Sequence, residues 1–375
     1  MPAETAQLIR GLMDRGHEVG FAGDIPVPGG EAARHFHIDI PTGSKLAVQL
    51  REAVAAFAPD FVHVMAMSSA GVAKISPELS TCAWALTCHS IPPHERKLPA
   101  FHGNERMHYA LRSLRFTANS LAWKWLFRRR PMPHVIVHSE WVRDVVVRYG
   151  YERDRTSLVS LGCEEGPRAA TPNRRTAFPD GPRIVSTGGI AHTKGHHDAI
   201  VALAQVRRSF PHLHYQIIGE VRDSSYIAFL QELIERLQMQ DCVRITPNLP
   251  HEQKQQALQQ ADLYVQPSHE EGFCLAYIEA AAIVPRLVGT DTGAIALVSE
   301  GDPAARVIPP CRPLEMAQAI EGLLQHTLPD DLMACRMQRL NERFSWGRYL
   351  DAHEALYRRL ATVVETTNST ADQYA

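Results

Sequence analysis

Short apolar runs alternate along the chain with longer amphipathic ones, the mark of β-α units that fold into parallel sheets. In the first half, Glu18–Ala22, Asp60–Met65, Ala83–Cys88, His134–His138 and Ser157–Leu161 read as strands. The second half repeats the theme at Arg183–Thr187, His214–Ile218, Cys242–Thr246, Asp262–Gln266, Arg286–Gly289 and Ala305–Ile308. Ser224–Leu237 and Glu252–Gln260 carry apolar residues three and four apart, the spacing of a helix with one buried face. Ala3–Arg15 shares that spacing and stops at Gly16. An α/β domain normally opens on a strand and a glycine turn instead, so the first sheet is expected to lack its usual first strand.

Gly162–Pro182 is rich in Gly, Pro, Arg and Thr and has no apolar period, which reads as a linker. The expected organisation is a Rossmann-like domain over 1–165, a linker over 166–182, a second parallel-sheet domain over 183–345, and a helix with a polar tail over 346–375. A length of 375 residues fits two such domains. Lysine and arginine number 39 against 41 acidic residues, which gives no global electrostatic reason to bind nucleic acid. The seven cysteines are scattered without a C-x-x-C pair, which argues against a disulfide framework or zinc ribbon and for a reducing compartment. With no signal-peptide pattern and no apolar run near 18 residues, a cytoplasmic protein is expected.

The densest chemistry lies in Pro267-Ser268-His269-Glu270-Glu271-Gly272-Phe273-Cys274-Leu275-Ala276-Tyr277-Ile278-Glu279, which follows the strand Asp262–Gln266 and runs into a helix. A strand, a glycine turn and a helix start present backbone N–H groups at the positive end of a dipole, which suits phosphate. Glu271 and Glu279 stand eight positions apart, and carboxylates accept hydrogen bonds from vicinal hydroxyls, as on a sugar and a ribose. The plainer alternative is a capping Glu271 and a solvated Glu279. Upstream, Ile184-Val185-Ser186-Thr187-Gly188-Gly189-Ile190-Ala191-His192-Thr193-Lys194-Gly195 sets a double glycine and a lysine after a strand. Lys194 there can neutralise a diphosphate, although exposed lysines beside glycine turns are also common without a function.

The two clusters, in this order and separation, resemble the donor site of the retaining glycosyltransferases of family 4, which have the GT-B fold. That family shows Glu-Gly-Phe-Gly, a second glutamate eight positions after the first, and an upstream Gly-Arg turn closed by Lys-Gly. Arg15-Gly16-His17-Glu18-Val19, Val307-Ile308-Pro309-Pro310, and Phe344-Ser345-Trp346 with Tyr357 resemble further family segments, so that the likeness covers roughly residues 3–360. The departures are specific. Gly189 stands where the family has arginine, Cys274 replaces the second glycine of Glu-Gly-Phe-Gly, Val284 precedes Pro285 where a glycine is usual, and Ala294 and Leu297 replace a glycine and an acid. The family's first strand and Gly-Gly loop have no counterpart before Met1.

The resemblance implies two Rossmann-like domains facing each other across a cleft, with the C-terminal helix crossing back onto the first. The first domain would hold a glycan or lipid-linked acceptor, and the second a nucleotide-sugar donor. Donor contacts would fall to Gly188, Gly189, Lys194, Gly272, Phe273, Cys274, Leu275 and Glu279, and catalytic roles to His89, Lys194 and Glu271. His89, in Thr87-Cys88-His89-Ser90, would contact the donor sugar; read from its own residues, it is equally a satisfied histidine at a strand end. No metal or cofactor is expected. His192, His196 and His197 with Asp198 read as a turn-exposed cluster rather than a metal site.

Arg106–Arg130 holds seven basic residues and no acid, with Phe116, Trp123, Trp125 and Phe127 interleaved. That composition suits an anionic membrane surface, with contact through Arg128, Arg129 and Arg130 at the inner face. A helix packing its aromatic residues onto the sheet explains it equally. The overall expectation is sugar transfer in glycan or surface-polysaccharide synthesis. Two alternatives stay open: another GT-B enzyme such as a nucleotide-sugar epimerase, and a catalytically weak binding subunit.

Overall fold

The computed structural model describes residues 3–23, 33–38, 45–65, 69–79, 82–89, 121–128, 132–163, 178 and 180–372. The chain divides into two compact units: Met1–Gly162 together with Trp346–Ala375, and Cys163–Ser345.

The first unit runs α1 (Ala3–Asp14), β1 (Gly20–Gly23), β2 (Arg34–His37), α2 (Leu46–Phe57), β3 (Val62–Val64), α3 (Ser69–Ile75), β4 (Trp84–Cys88), α4 (121–127), β5 (His134–Val137), α5 (Glu140–Arg148) and β6 (Thr156–Leu158). All strand pairs are parallel, but they form two ladders, β1-β2 and β3-β4-β5-β6. Among the described residues no strand joins β1 to β3. Strand β2 escapes the apolar pattern. Arg34, His35 and His37 are polar, and parallel pairing with β1 makes it a strand rather than burial.

The last helix of the chain, α13 (Trp346–Asp372), packs on α1. A Cβ on Gly11 would sit 2.4 Å from Leu350, so the two helices touch where a side chain is missing. Arg15 and His17 both bind Glu354, which gives the Arg-Gly-His segment a structural task as a clamp. Behind the clamp lies a buried polar network. The Tyr349 hydroxyl donates to Glu4 at 2.8 Å, and His138 reaches the same carboxylate at 3.3 Å. His63 bridges Tyr357 and Thr87 at 2.6 Å each.

Helix α4 splits the basic–aromatic segment. Trp123, Leu126 and Phe127 are buried against β5 and α5, so Trp123 is core rather than surface. Leu121 and Trp125 are 53% and 51% exposed, and with exposed Arg128 they fall at i, i+4 and i+7, on one face. Arg106, Arg112, Arg115, Phe116, Arg129 and Arg130 lie outside the described residues.

The second unit runs β7 (Arg183–Thr187), α6 (His196–Val206), β8 (His214–Gly219), α7 (Ser224–Arg236), β9 (Val243–Pro247), α8 (His251–Gln260), β10 (Leu263–Gln266), α9 (Leu275–Ala281), β11 (Arg286–Thr290), α10 (Ile295–Ser299), β12 (Ala305–Ile308), α11 (Pro313–Gln325) and α12 (Leu332–Phe344). Its six strands are parallel in the order β12-β11-β10-β7-β8-β9. Strands β10 and β11 are buried at every position, because helices cover both faces of such a sheet. Phe178, within the stretch read as a linker, packs on this core beneath the Arg286 guanidinium.

One ion pair fastens α12 to the sheet. The buried Arg336 guanidinium binds both oxygens of buried Asp302 and donates to the carbonyls of Ala281, Val284 and Pro285. Removing one partner strands the other charge, so Arg336→Ala is expected to lower stability by about 3–5 kcal/mol. A denaturant midpoint equivalent to less than about 1 kcal/mol of loss would contradict this.

Candidate functional site

Strand β7 enters the middle of the second sheet; β8 and β9 are added on one side and β10 to β12 on the other. Strands β7 and β10 are therefore neighbours at the point where the winding reverses. In open parallel sheets, ligands bind beyond the carboxyl ends of the strands at that point. The two clusters singled out in the sequence are the loops leaving β7 and β10, and they meet there.

Lys194 Nζ donates to Glu271 Oε1 at 2.7 Å. The same oxygen accepts from Ser268 Oγ at 2.6 Å and from Gln266 Nε2 at 3.3 Å. Gln266 in turn accepts from the Tyr264 hydroxyl, which bonds Thr187 at the end of β7. With only 7% of Glu271 exposed, a chain of buried groups fixes it from below. Gly195 makes the meeting possible. It holds φ +63°, and a Cβ there would lie 2.0 Å from the Pro267 carbonyl.

Two family models together span most of the chain: "Glycosyltransferase Family 4" matches residues 5–165, and "Glycosyl transferases group 1" matches 168–337. The chain is a member of the family 4, group 1 glycosyltransferases. A D-inositol 3-phosphate glycosyltransferase of Kineococcus radiotolerans is 25% identical over 237 residues, 58% of this chain and 54% of that protein. The chain spans about half the length of the curated relatives it matches. Sucrose-phosphate synthase from Thermosynechococcus elongatus superposes with a TM-score of 0.71 at 18% identity, covering 95% of this chain and 92% of that one. Anabaena HepE, solved with UDP and glucose, gives 0.67 at 15% identity and covers 94% of each chain. These likenesses show the GT-B fold.

Against this family background, the other site residues fall in distinct places. Cys274 is buried at φ +80°, a left-handed conformation that suits glycine, and burial, with Glu271 nearby, holds its thiol well above the usual range. Phe273 packs edge-on against Phe344, so its side chain belongs to the core, while Leu275 is exposed at the start of α9 and Gly272 is half-buried. Glu279 is 47% exposed and pairs with Lys254 at 3.2 Å. Gly188 and Gly189 form the turn after β7. His89 lies in the first unit, half-buried at the end of β4, 3.5 Å from Glu4. Burial first, and then His138, pull its pKa down despite Glu4, which favours a neutral ring.

The histidines after Gly189 are not turn-exposed. His192, His196 and His197 are all buried, and burial pushes His196 and His197 down to about 3. Asp198 binds His269 at 2.7 Å, which ties the start of α6 to the turn that carries Glu271. Among the described residues, two sets gather three metal-ligating groups each within 4.8 Å, Glu4 with His89 and His138, and His197 with Asp198 and His269. In each, a carboxylate already faces a histidine. His269 was overlooked in the sequence because its partner is 71 positions away.

Burial opposes charge on His269, but the Asp198 carboxylate that accepts from its ring, with Cys311, outweighs it and raises its pKa to about 9. The folded value exceeds the ordinary one near 6.5. The pair's contribution is thus full below about pH 6.5 and fades as pH rises through about 9. Its size is on the order of 3 kcal/mol at most. Thermal melts from pH 6 to 10 should show this loss in the wild type and a flatter profile in Asp198→Asn. Parallel profiles would rule the pair out as a stabilising contact.

Proposed function

We propose that the chain transfers a sugar from a nucleotide-sugar donor to a glycan or lipid-linked acceptor, with retention at the anomeric carbon, in glycan or surface-polysaccharide synthesis. The observation that carries this reading is the pairing of half-buried Lys194 with buried Glu271 at the winding reversal of the second sheet. The UDP and glucose bound to HepE and the name of the inositol phosphate relative support it.

In this reading the second unit holds the donor. Lys194 offsets charge on the leaving diphosphate, and Glu271 accepts hydrogen bonds from sugar hydroxyls. Backbone N–H groups of Gly272–Leu275 face the donor, and Glu279 exchanges Lys254 for the ribose diol. His89, a neutral imidazole, contacts the donor sugar near the reacting carbon. The bond from the anomeric carbon to the phosphate oxygen breaks as the acceptor oxygen attacks from the same face, and the departing phosphate takes the acceptor's proton. No metal takes part, so chelator should leave turnover unchanged.

A thermal-shift panel of nucleotide sugars, an acceptor screen and NMR of the anomeric coupling in the product would test the reading. Lys194→Ala should cut turnover by roughly 10²–10³ while nucleoside affinity holds, because a clamp on developing charge is worth about that factor. A loss below about threefold would remove Lys194 from the mechanism. Donor binding without turnover would mark a binding subunit instead.

An acceptor at a membrane fits the exposed face of Leu121, Trp125 and Arg128. Each basic residue near an anionic surface adds on the order of 1 kcal/mol. Co-sedimentation with phosphatidylserine vesicles at low salt is expected, with release at high salt and loss on replacing Arg128, Arg129 and Arg130 by glutamine. A wild type that ignores such vesicles at low salt would point to a soluble acceptor.

A further inference from the structure

The turn after β7 lacks the arginine that its family places there, yet an arginine occupies the space. A Cβ on Gly189 would lie 2.7 Å from both Cδ and Nε of Arg222 and 3.2 Å from its Cζ, so the Arg222 side chain lies along the bare glycine. The backbone holds it there. Ile190 N–H donates to the Glu220 carbonyl at 2.7 Å, and Arg222 N–H returns a bond to Ile190 at 3.2 Å. Just before these bonds, a Cβ on Gly219 would lie 1.6 Å from the Gly188 carbonyl, so the loops leaving β7 and β8 press together backbone to backbone.

The charges around the turn differ in how far they are already matched. Lys194 meets the buried Glu271 at 2.7 Å, and Asp198 meets His269 at 2.7 Å. Among the described residues Arg222 pairs only with Glu220, at 3.5 Å, with 62% and 71% of the two side chains exposed. A long, exposed pair exchanges easily for a better partner. A guanidinium, with its planar fork of donors, binds a phosphate through two parallel hydrogen bonds.

We propose that Arg222 is a donor-binding residue that grips the diphosphate at the Gly188–Gly189 turn, and that Gly189 stays without a side chain so that Arg222 can lie there. The proposal rests on the donor reading given above and adds a cation from a different loop to it. It also makes the effect of Gly189→Arg depend on Arg222. In the wild type the new side chain collides with Arg222, whereas in an Arg222→Ala background it returns the charge to the turn.

The test measures binding of UDP, GDP and ADP and of their matching nucleosides by calorimetry. For whichever diphosphate the wild type binds, Arg222→Ala should weaken it about 10- to 100-fold, the range for hydrogen bonds between charged groups, and leave the nucleoside within about twofold. Arg222→Lys should fall between, since a point charge keeps attraction but loses the fork. Gly189→Arg combined with Arg222→Ala should regain at least about tenfold over Arg222→Ala alone. Unchanged diphosphate affinity in Arg222→Ala, or equal loss of nucleoside and diphosphate, overturns the proposal. If the wild type binds none of the three diphosphates, the donor reading itself fails. That outcome differs from a wild type that binds and an Arg222 variant that does not care. Arg222 is exposed, so the variant should fold; circular dichroism melts verify it.

Discussion

The loops at the winding reversal of the second unit are arranged around one ion pair, a half-buried lysine on a buried glutamate. Lys194 and Glu271 come from loops 77 residues apart and meet because β7 and β10 lie side by side. A buried carboxylate is tolerable only if its oxygens are satisfied, and Ser268, Gln266 and Lys194 all donate to the same oxygen. The chain of bonds through Gln266 and Tyr264 to Thr187 then ties the pair to the ends of both strands. Gly195 and the Asp198–His269 bond serve the same end, closing one loop onto the other. A preorganised pair of this kind costs little reorganisation when a charged ligand arrives, which is what a charge-stabilising site requires.

The first unit repeats the device with different chemistry. Glu4 is buried on α1, and despite the burial its carboxyl stays below the usual range because His138, His89 and Tyr349 favour the ionised form. Tyr349, His353 and Tyr357 follow one another at four-residue spacing on α13, so one helix face supplies the ring stack that covers Glu4 and His63. Burial drives the pKa of His63 far down and that of His353 to about 4. These rings are therefore neutral hydrogen-bonding groups at neutral pH. The last helix contributes polar partners to the first unit as well as apolar cover.

Much of this was legible in the sequence where burial is uniform. Strand β7 falls on the residues its apolar run indicates, because a parallel strand buried on both faces has no other reading. Elements made by pairing were harder. Strand β2 has one apolar residue in four and exists through its bonds to β1. The glutamates eight apart were visible as a pair, yet one is buried and the other lies on the surface beside Lys254, a difference set by the turn ahead of α9. Polar composition made the histidine run after Gly189 look solvated. It is buried because Tyr226 on α7 and His269 in the loop after β10 supply ring contacts and hydrogen bonds.

The departures from the family pattern show why position in space and position in sequence must be separated. Judged along the chain, Gly189 deletes a cation and Cys274 crowds a turn. Judged in the fold, the missing side chain at Gly189 is the opening into which Arg222 lies, and Cys274 is buried on a left-handed backbone beside the Glu271 turn. A phosphate responds to the field at its own location, and that field falls off with distance, not with sequence separation. An arginine 33 positions away on an adjoining loop is therefore electrostatically equivalent to one inside the turn, provided the two loops are held in register. The bonds between Ile190 and the Glu220–Arg222 segment provide that register, and the close approach of Gly188 and Gly219 leaves no room for it to slip.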